Sequence, residues 1–510
     1  MAVLTRHEAF DPCKYTSGSW LDRDGQRKAS RYIDFDFSAL MKEAISCCSG
    51  ARRIVDCRKA EGGFNKLFFF VMDNGARVVA RLPTRLAGPP TLTTHSEVAT
   101  LRFVKQRTSI PVPDVLKWSN TRSNPVGVEY IIMSHVQGVS LMEKWPQMNG
   151  LQHIECIAAL GAFTKELASL SFPAYGSLYF NDAQLSGTTT LDNSFCIGPH
   201  CGTQFWDPSI QDNENVPQRS RGPWHDVASY LDELVNTGYE SSVNQSSGHQ
   251  GSLDDHLALL KANRRCIDLL AQSELVQNAS GPTLFHPDFH TRNILVDEDD
   301  PTKITGIIDW QSASIEPALL HAAETPDFAE PLLFDRELDG NRKAPETDTE
   351  KDHREDVERC IKAWTVLVHV SPKVGKAAAL DDSILRVLTD SHTAWKTGRA
   401  AVRSQLMDLA QRWADLGLPG NCPYHPNAEE LELQKREFDD LESTQRLRFF
   451  LARALGCDTD GWVAADRWDD VLPRYRDLYK GWMESAKSSH DPEYPVSPEK
   501  ADKLWPFDGR

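Results

Sequence analysis

The sequence predicts a two-lobed α+β fold, with a β-rich lobe of about 135 residues followed by a larger, mainly helical one. Three observations carry this reading. Two runs of β-formers, 67–72 and 77–82, flank Asp73-Asn74-Gly75, and Asn-Gly between apolar runs is a strong hairpin signal. From about residue 151 the apolar spacing turns helical, most clearly in "LQHIECIAALGAFTKELASLSF". The stretch 285–311, "FHPDFHTRNILVDEDDPTKITGIIDWQ", sets two short apolar runs around an acidic turn, which reads as a second hairpin.

The remaining elements follow in order. "FSALMKEAISCC" has helical spacing and precedes an approach to a strand at "SGARRIVDC". Gly62 and Gly63, ahead of the first hairpin, are free of side-chain bulk and let backbone come close to a ligand. After a loop rich in Pro, Gly and Thr, "HSEVATLRFVKQRTS" presents Val98, Leu101, Phe103 and Val104 on one helical face. "IPVPDVLKWS" is proline-set extended chain, and "GVEYIIMSHVQG" is a buried strand ending in a linker. Residues 183–252 are polar and read as an insertion with loops. Residues 337–356 form a charge-rich loop or linker. Beyond it "NAEELELQKREFDDLESTQRLRFFLARALG" is a long amphipathic helix.

Composition narrows the function classes. With 40% hydrophobic and 25% charged residues among 510, the chain has an ordinary globular balance and no need of disorder. Its 56 basic and 73 acidic residues give a net charge of −17, so its overall field draws neither nucleic acid nor anionic lipid. Eleven scattered cysteines without a repeated CxxC pair read as reduced thiols of an intracellular protein. "CIGPHC" is half a zinc motif at most, with no second half at suitable spacing. No run of 18 apolar residues is present, so no membrane span is expected. The first residues lack a signal peptide's apolar core, and Glu8 and Asp11 argue against a mitochondrial presequence.

The chemistry concentrates in the stretch 285–311. Asp288 and Asn293 lie either side of "FHTR", and pairing of "NILVD" with "KITGIID" brings Asp309 back beside Asn293. A carboxylate and an amide oxygen side by side suit a hard cation such as Mg²⁺, which is usually held by one or two carboxylates together with substrate phosphates. Asp288 is then left to accept a proton from an attacking hydroxyl. This is the apparatus of phosphoryl transfer, in which positioning and charge neutralisation supply most of the catalysis. Upstream, Arg81 ends the run "RVVAR" and Glu97 follows 16 residues later in a helix. A basic residue there pairs with nucleotide phosphates while the helix carboxylate fixes its position.

"HPDFHTRN" followed by "IIDWQ" resembles the aminoglycoside phosphotransferase and choline kinase group. The segments "YTSGSWL", "EGGFNKLFFFVMDNGARVVARLP", "TTHSEVAT", "EYIIMSHVQG" and "FCIGPHC" are similar to its fungal branch named for altered inheritance of mitochondria. The resemblance covers most of residues 11–330. It implies a protein-kinase-like fold with ATP and Mg²⁺ in the cleft and a small-molecule hydroxyl as acceptor. It also implies a set of roles. Asp288 matches the catalytic base, and Asn293 and Asp309 match the Mg²⁺ ligands. Arg81 and Glu97 match the phosphate-contacting cation and its helix partner. Gly62, Gly63 and Asn65 lie where a nucleotide-covering loop is expected. Met133 to Val136, including His135, match an adenine-contacting hinge, and His286 a prop for the loop. Three departures stand out: arginine replaces lysine at 81, the glycine loop is short, and Asp309-Trp310-Gln311 stands where protein kinases carry Asp-Phe-Gly. These departures motivate a second expectation, a nucleotide-binding scaffold of the pseudokinase type with little turnover. The expected organisation is an N-terminal extension (1–50) packed on an N-lobe (51–135), a C-lobe (136–335) and a helical C-terminal extension (356–510). By resemblance the location is mitochondrial, otherwise cytoplasmic.

Overall fold

The computed structural model describes residues 11–206, 221–244, 252–322, 324–330, 347–393, 398–488 and 497–508. The first half of the charge-rich stretch 337–356 lies outside these, and from Asp348 it is the first turns of a helix.

A short strand, β1 (Gly18–Trp20), and helix α1 (Phe37–Ser46) precede the first sheet. The sheet is antiparallel and runs β2 (Ile54–Glu61), β3 (Asn65–Met72), β4 (Arg77–Pro83), β6 (Tyr130–Ser134), β5 (Val115–Ser119) in spatial order. Helix α2 (Leu92–Arg107) connects β4 to β5. The β3–β4 turn forms where the sequence places it. Gly75 takes φ +83, which glycine adopts without strain, and its N–H donates to the Met72 carbonyl at 3.0 Å.

Period-2 alternation gives this sheet two different faces. Phe68, Phe70, Ala80 and Ile132 pack with Leu40 and Ala44 of α1, whereas Ile131 and Met133 pack with Val98 and Leu101 of α2. At the β2–β3 end, a knot of charge takes over from apolar packing. Lys59, Glu61 and Lys66 are all buried. One Glu61 oxygen accepts from the Thr16 and Ser17 N–H groups at 2.7 and 3.2 Å. Lys59 donates to the Asp11 and Lys14 carbonyls at 2.9 and 2.7 Å, and Lys66 to that of Lys14 at 2.8 Å. Residues 11–17 are thereby fastened over the glycine hairpin.

The second lobe starts with β7 (Val139–Ser140) and α3 (Gly150–Ser169), whose Asn149–Gln152 capping box closes its N-terminus. A small sheet of β8 (Ser177–Phe180), β9 (Thr189–Thr190) and β10 (Phe195–Gly198) follows. Helices α4 (Val227–Asn244) and α5 (Leu253–Gln272) come next. The stretch 183–252 is therefore more than looped insertion. Within its described part, β10 is wholly buried and Trp224, Tyr230, Leu231 and Leu234 sit in the main helical core. Strands β11 (Pro282–Leu284), β12 (Ile294–Val296), β13 (Ile304–Ile307) and β14 (Ile315–Pro317) carry the candidate site.

Helices α6 (Asp348–Val370), α7 (Arg399–Arg412), α8 (Ala428–Leu455) and α9 (Trp468–Ser488) complete the chain, with β15 (Trp462–Ala464) between the last two. The final segment does not merely extend the helical lobe. Strand β15 pairs antiparallel with β1, Ser19 opposite Val463, and Leu21 shares a core with Leu451, Leu455, Val471, Tyr475 and Trp505. No described helix is long and apolar enough to cross a membrane.

Candidate active site

The second hairpin builds the centre of the site. β12 and β13 pair antiparallel with Ile294 opposite Ile307, and the Ile308 N–H donates to the Asn293 carbonyl at 3.0 Å. This sets Asn293 and Asp309 side by side. The acidic tip closes on itself, since Asp297 Oδ1 accepts from the Asp299 and Asp300 N–H groups at 3.0 and 3.1 Å. It is a turn rather than a metal site.

Asp309 takes φ +69 and Ser312 φ +64. Left-handed backbone at a residue other than glycine costs on the order of 1–3 kcal/mol and persists where surroundings over-determine it. The surroundings here are the buried Trp310, whose Nε1–H donates to the Ile307 carbonyl at 3.0 Å, and His286, packed edge-on to Trp310 at 4.8 Å. His286 in turn binds the Ile308 carbonyl through Nε2 at 2.9 Å, while its Nδ1 accepts from the Asp288 N–H at 3.1 Å. Burial pushes its pKa down, so the neutral ring is a brace, as the sequence reading expects.

Asn293 donates Nδ2 to both the carboxylate and the carbonyl of Asp288, at 2.6 and 2.9 Å. Its amide oxygen is the group left for a hard cation, the ligand type Mg²⁺ takes. Asp309 exposes 45% of its side chain, so a cation can reach it. These donors fit the implied metal. Asp288 is not free, contrary to the sequence reading. Arg292, four residues on, ion-pairs with it, Nε lying 3.1 Å from Oδ2. His290 lies 3.7 Å from Asp288 and 3.5 Å from Asp327. Its hydrogen bond to Asp327 raises its pKa.

The first lobe supplies the other half. Arg81 reaches Glu97 of α2, the Gln311 side-chain oxygen and Asp309, the last at 2.9 Å. Complete burial pushes the Glu97 carboxyl up to about 7 against the pull of Arg81, and Asp309 adds to the rise. Asn65 Nδ2 also donates to Gln311, whose own Nε2 donates to the Ala87 carbonyl at 3.2 Å. Gln311 thus joins the glycine turn, Arg81 and the Asp309 segment. A Cβ added at Gly62 or Gly63 would meet nothing within 4 Å, so the turn between β2 and β3 faces open space. Asn65 keeps a buried side-chain oxygen that has no partner among the described residues.

Met133 and His135, expected at a hinge, are partly committed. Met133 is buried and paired with both Val79 and Val115. The His135 N–H donates to the Arg77 carbonyl at 3.3 Å, and burial pushes its imidazole pKa down. The structure therefore brings together Asp288, Asn293, Asp309, Arg81, Glu97 and Asn65, with Gly62 and Gly63 at the adjoining turn. Met133 and His135 stand at the end of β6. Sequence reasoning missed Gln311, Arg292 and Asp327. The first stands inside a motif already quoted, and the second is at helical spacing from Asp288. Asp327 had no local signal.

The phosphotransferase enzyme family (APH) matches residues 56–323. A subtelomeric hrmA-associated cluster protein of Aspergillus fumigatus is 33% identical over 299 residues, and the match spans 52% of this chain and 58% of that protein. Altered inheritance of mitochondria protein 9 of Yarrowia lipolytica is 22% identical over 90% of this chain and 85% of its own length. Among solved structures, a putative aminoglycoside phosphotransferase of Ralstonia eutropha aligns over 79% of this chain and 95% of its own at 14% identity, with a TM-score of 0.37. With residues 56–323, more than half of its length, matched by the family, the chain belongs to the phosphotransferase enzyme family.

Proposed function

We propose that the protein transfers the γ-phosphate of ATP to a hydroxyl of a small molecule. The convergence of Asp288, Asn293, Asp309 and Arg81 from three separate segments supports this reading. Asp288 orients the acceptor hydroxyl and takes its proton once Arg292 releases it. Asn293 and Asp309 hold Mg²⁺, which when bound neutralises charge on the phosphates. Arg81, anchored by Glu97, steadies the phosphates beneath the Gly62–Gly63 turn, and the chain at Met133–His135 borders the adenine. The printed name of the Yarrowia relative includes "mitochondrial", and we propose a mitochondrial location for this protein by that likeness.

One observation favours a second reading. Arg81 and Arg292 spend their charge on Asp309 and Asp288, so the pairs must open before metal and acceptor engage. A nucleotide-binding scaffold with little turnover fits that state. Thermal unfolding with ATP and Mg²⁺ separates the cases. A ligand bound only to the folded state at 100 times its Kd adds about 2.7 kcal/mol. A Mg²⁺-dependent rise in Tm, lost in Asp309→Ala, is expected. ATP consumption on a panel of hydroxyl acceptors, abolished in Asp288→Ala with nucleotide stabilisation retained, supports transfer. Stabilisation without consumption supports the scaffold, and no stabilisation in either protein overturns both.

A further inference from the structure

We propose that Gln311 is a positioning residue of the nucleotide site: it aims the Arg81 guanidinium at the phosphates and ties the β2–β3 turn to the Asp309 segment. This role rests on the proposed function, in which Arg81 meets ATP. Gln311 belongs to the second lobe, yet its buried side chain bonds to the first. Its Oε1 accepts from Arg81 of β4 and from Asn65 at the start of β3. Its Nε2 donates to the Ala87 carbonyl, in the loop after β4, at 3.2 Å. Arginine carries donors only, so the amide oxygen must face Arg81. The amide nitrogen then faces a carbonyl, and the two partners agree on one orientation.

The backbone is bent to present this side chain. The left-handed residues Asp309 and Ser312 stand either side of Trp310 and Gln311. Between them Trp310 goes into the core and Gln311 crosses to the other lobe. Strain of this kind persists where the surroundings over-determine it, and the three hydrogen bonds of Gln311 are part of those surroundings. The turn it reaches is also tied to β4, since the Thr84 N–H donates to the Phe64 carbonyl at 2.8 Å. Asn65 and Arg81 therefore share one acceptor at the edge of the Gly62–Gly63 turn.

The division of labour around Arg81 gives the role its content. Nη1 binds Glu97, whereas Nη2 binds both Gln311 and Asp309, the latter at 2.9 Å. Asp309 can serve a metal only by giving up Arg81. The N–H it gives up keeps its direction, because Glu97 and Gln311 still hold the planar group at both terminal nitrogens. Held by Glu97 alone, the guanidinium would swing about a single ion pair. A charged donor fixed in this way meets a phosphate oxygen through a charge-assisted hydrogen bond with little ordering left to do. An amide suits the position. Its oxygen grips the guanidinium without neutralising it, whereas a carboxylate there would stand as a third negative group beside Glu97 and Asp309 and repel the phosphates.

The test titrates Mg·ATP and, separately, adenosine into the full chain in a calorimeter. Gln311→Met, of matching length, and Gln311→Leu should each weaken Mg·ATP by about tenfold or more while adenosine, which has no phosphates, stays within about twofold. A merely structural role would move both ligands. Hydrogen exchange in the variants should quicken at residues 62–66 while α2 stays protected. Circular dichroism checks that each variant folds. If neither folds, exchange in the unmutated chain decides: Mg·ATP should slow residues 62–66 and 309–313 together, and slowing of one segment alone overturns the proposal. A folded variant with unchanged Mg·ATP affinity, or with an equal loss for adenosine, overturns this role and leaves the nucleotide site standing. No Mg·ATP binding by the unmutated chain overturns the nucleotide site and the role together.

Discussion

Arg81 shows how much one side chain settles. Its guanidinium contacts Glu97, Asp309 and Gln311 together. A planar fork with five donors allows that, and a single ammonium does not reach three acceptors in the same geometry. The arginine that departs from the lysine pattern is thus matched by its neighbours rather than merely tolerated. Glu97 is buried at 4% exposure, so removing the cation leaves a carboxyl in apolar surroundings. Arg81→Met should lower the urea midpoint by the equivalent of about 3–5 kcal/mol. Adding Glu97→Gln should return much of that, because the two residues are coupled. A loss below about 0.5 kcal/mol, the level of an ordinary surface change, would mean that the pair does not hold α2 to β4.

At the scale of elements, the buried Glu316 ties β14 to three other segments. Its Oε1 accepts from His200, after β10, at 2.8 Å, and lies 3.3 Å from the Tyr230 hydroxyl of α4. Its Oε2 pairs with His321. Burial opposes ionisation of Glu316, but the charges of His321 and His200 outweigh it and hold its pKa well below the usual 4.5. Burial likewise opposes protonation of His321, but Glu316 raises its pKa from 6.5 to about 10. A raised histidine stabilises fully below 6.5 and loses that contribution as pH climbs through 10. A lowered glutamate stabilises above 4.5 and loses it on acidification. The cluster therefore stabilises most between pH 4.5 and 6.5. Glu316→Gln should cost about 3–5 kcal/mol in that window and flatten the fall of stability toward pH 10. An unchanged slope in urea titrations across pH 6.5–10 would refute the assignment. None of this was legible in the sequence. His200 and Glu316 are 116 residues apart, and the polar run around His200 reads as loop because its buried strand is only four residues long. The β3–β4 and β12–β13 hairpins were legible because Asn-Gly and an acidic turn punctuate β-rich runs locally. Asp288, Asn293 and Asp309 were legible for the same reason. Gln311 was not, because its role comes from the other lobe.

At the scale of the molecule, the segment 15–21 and the segments after residue 450 close on each other. Gly18 sits where a Cβ would lie 2.4 Å from the Val463 carbonyl, so β1 approaches β15 as only glycine allows. Trp462 donates its indole N–H to the Tyr15 hydroxyl at 2.9 Å, and Trp20 donates to Asp460 at 3.0 Å. Residues 15–17 also lie over the glycine hairpin through Glu61. The described segments after α8 are thereby linked to the β2–β3 turn beside the candidate site. Sequence periodicity reads α8 as an amphipathic helix, but which surface it covers depends on a partner more than 400 residues away, and no local pattern records it. Leu21 is fully buried in that shared core. Leu21→Ala should cost about 2–5 kcal/mol, confined to this unit. Hydrogen exchange should then rise together in residues 15–21 and 451–475 while β3, β4 and β6 stay protected. Faster exchange at the N-terminal segment alone would mean that the C-terminal helices stand without it. Faster exchange throughout β3–β6 would mean that the ends and the first lobe unfold as one.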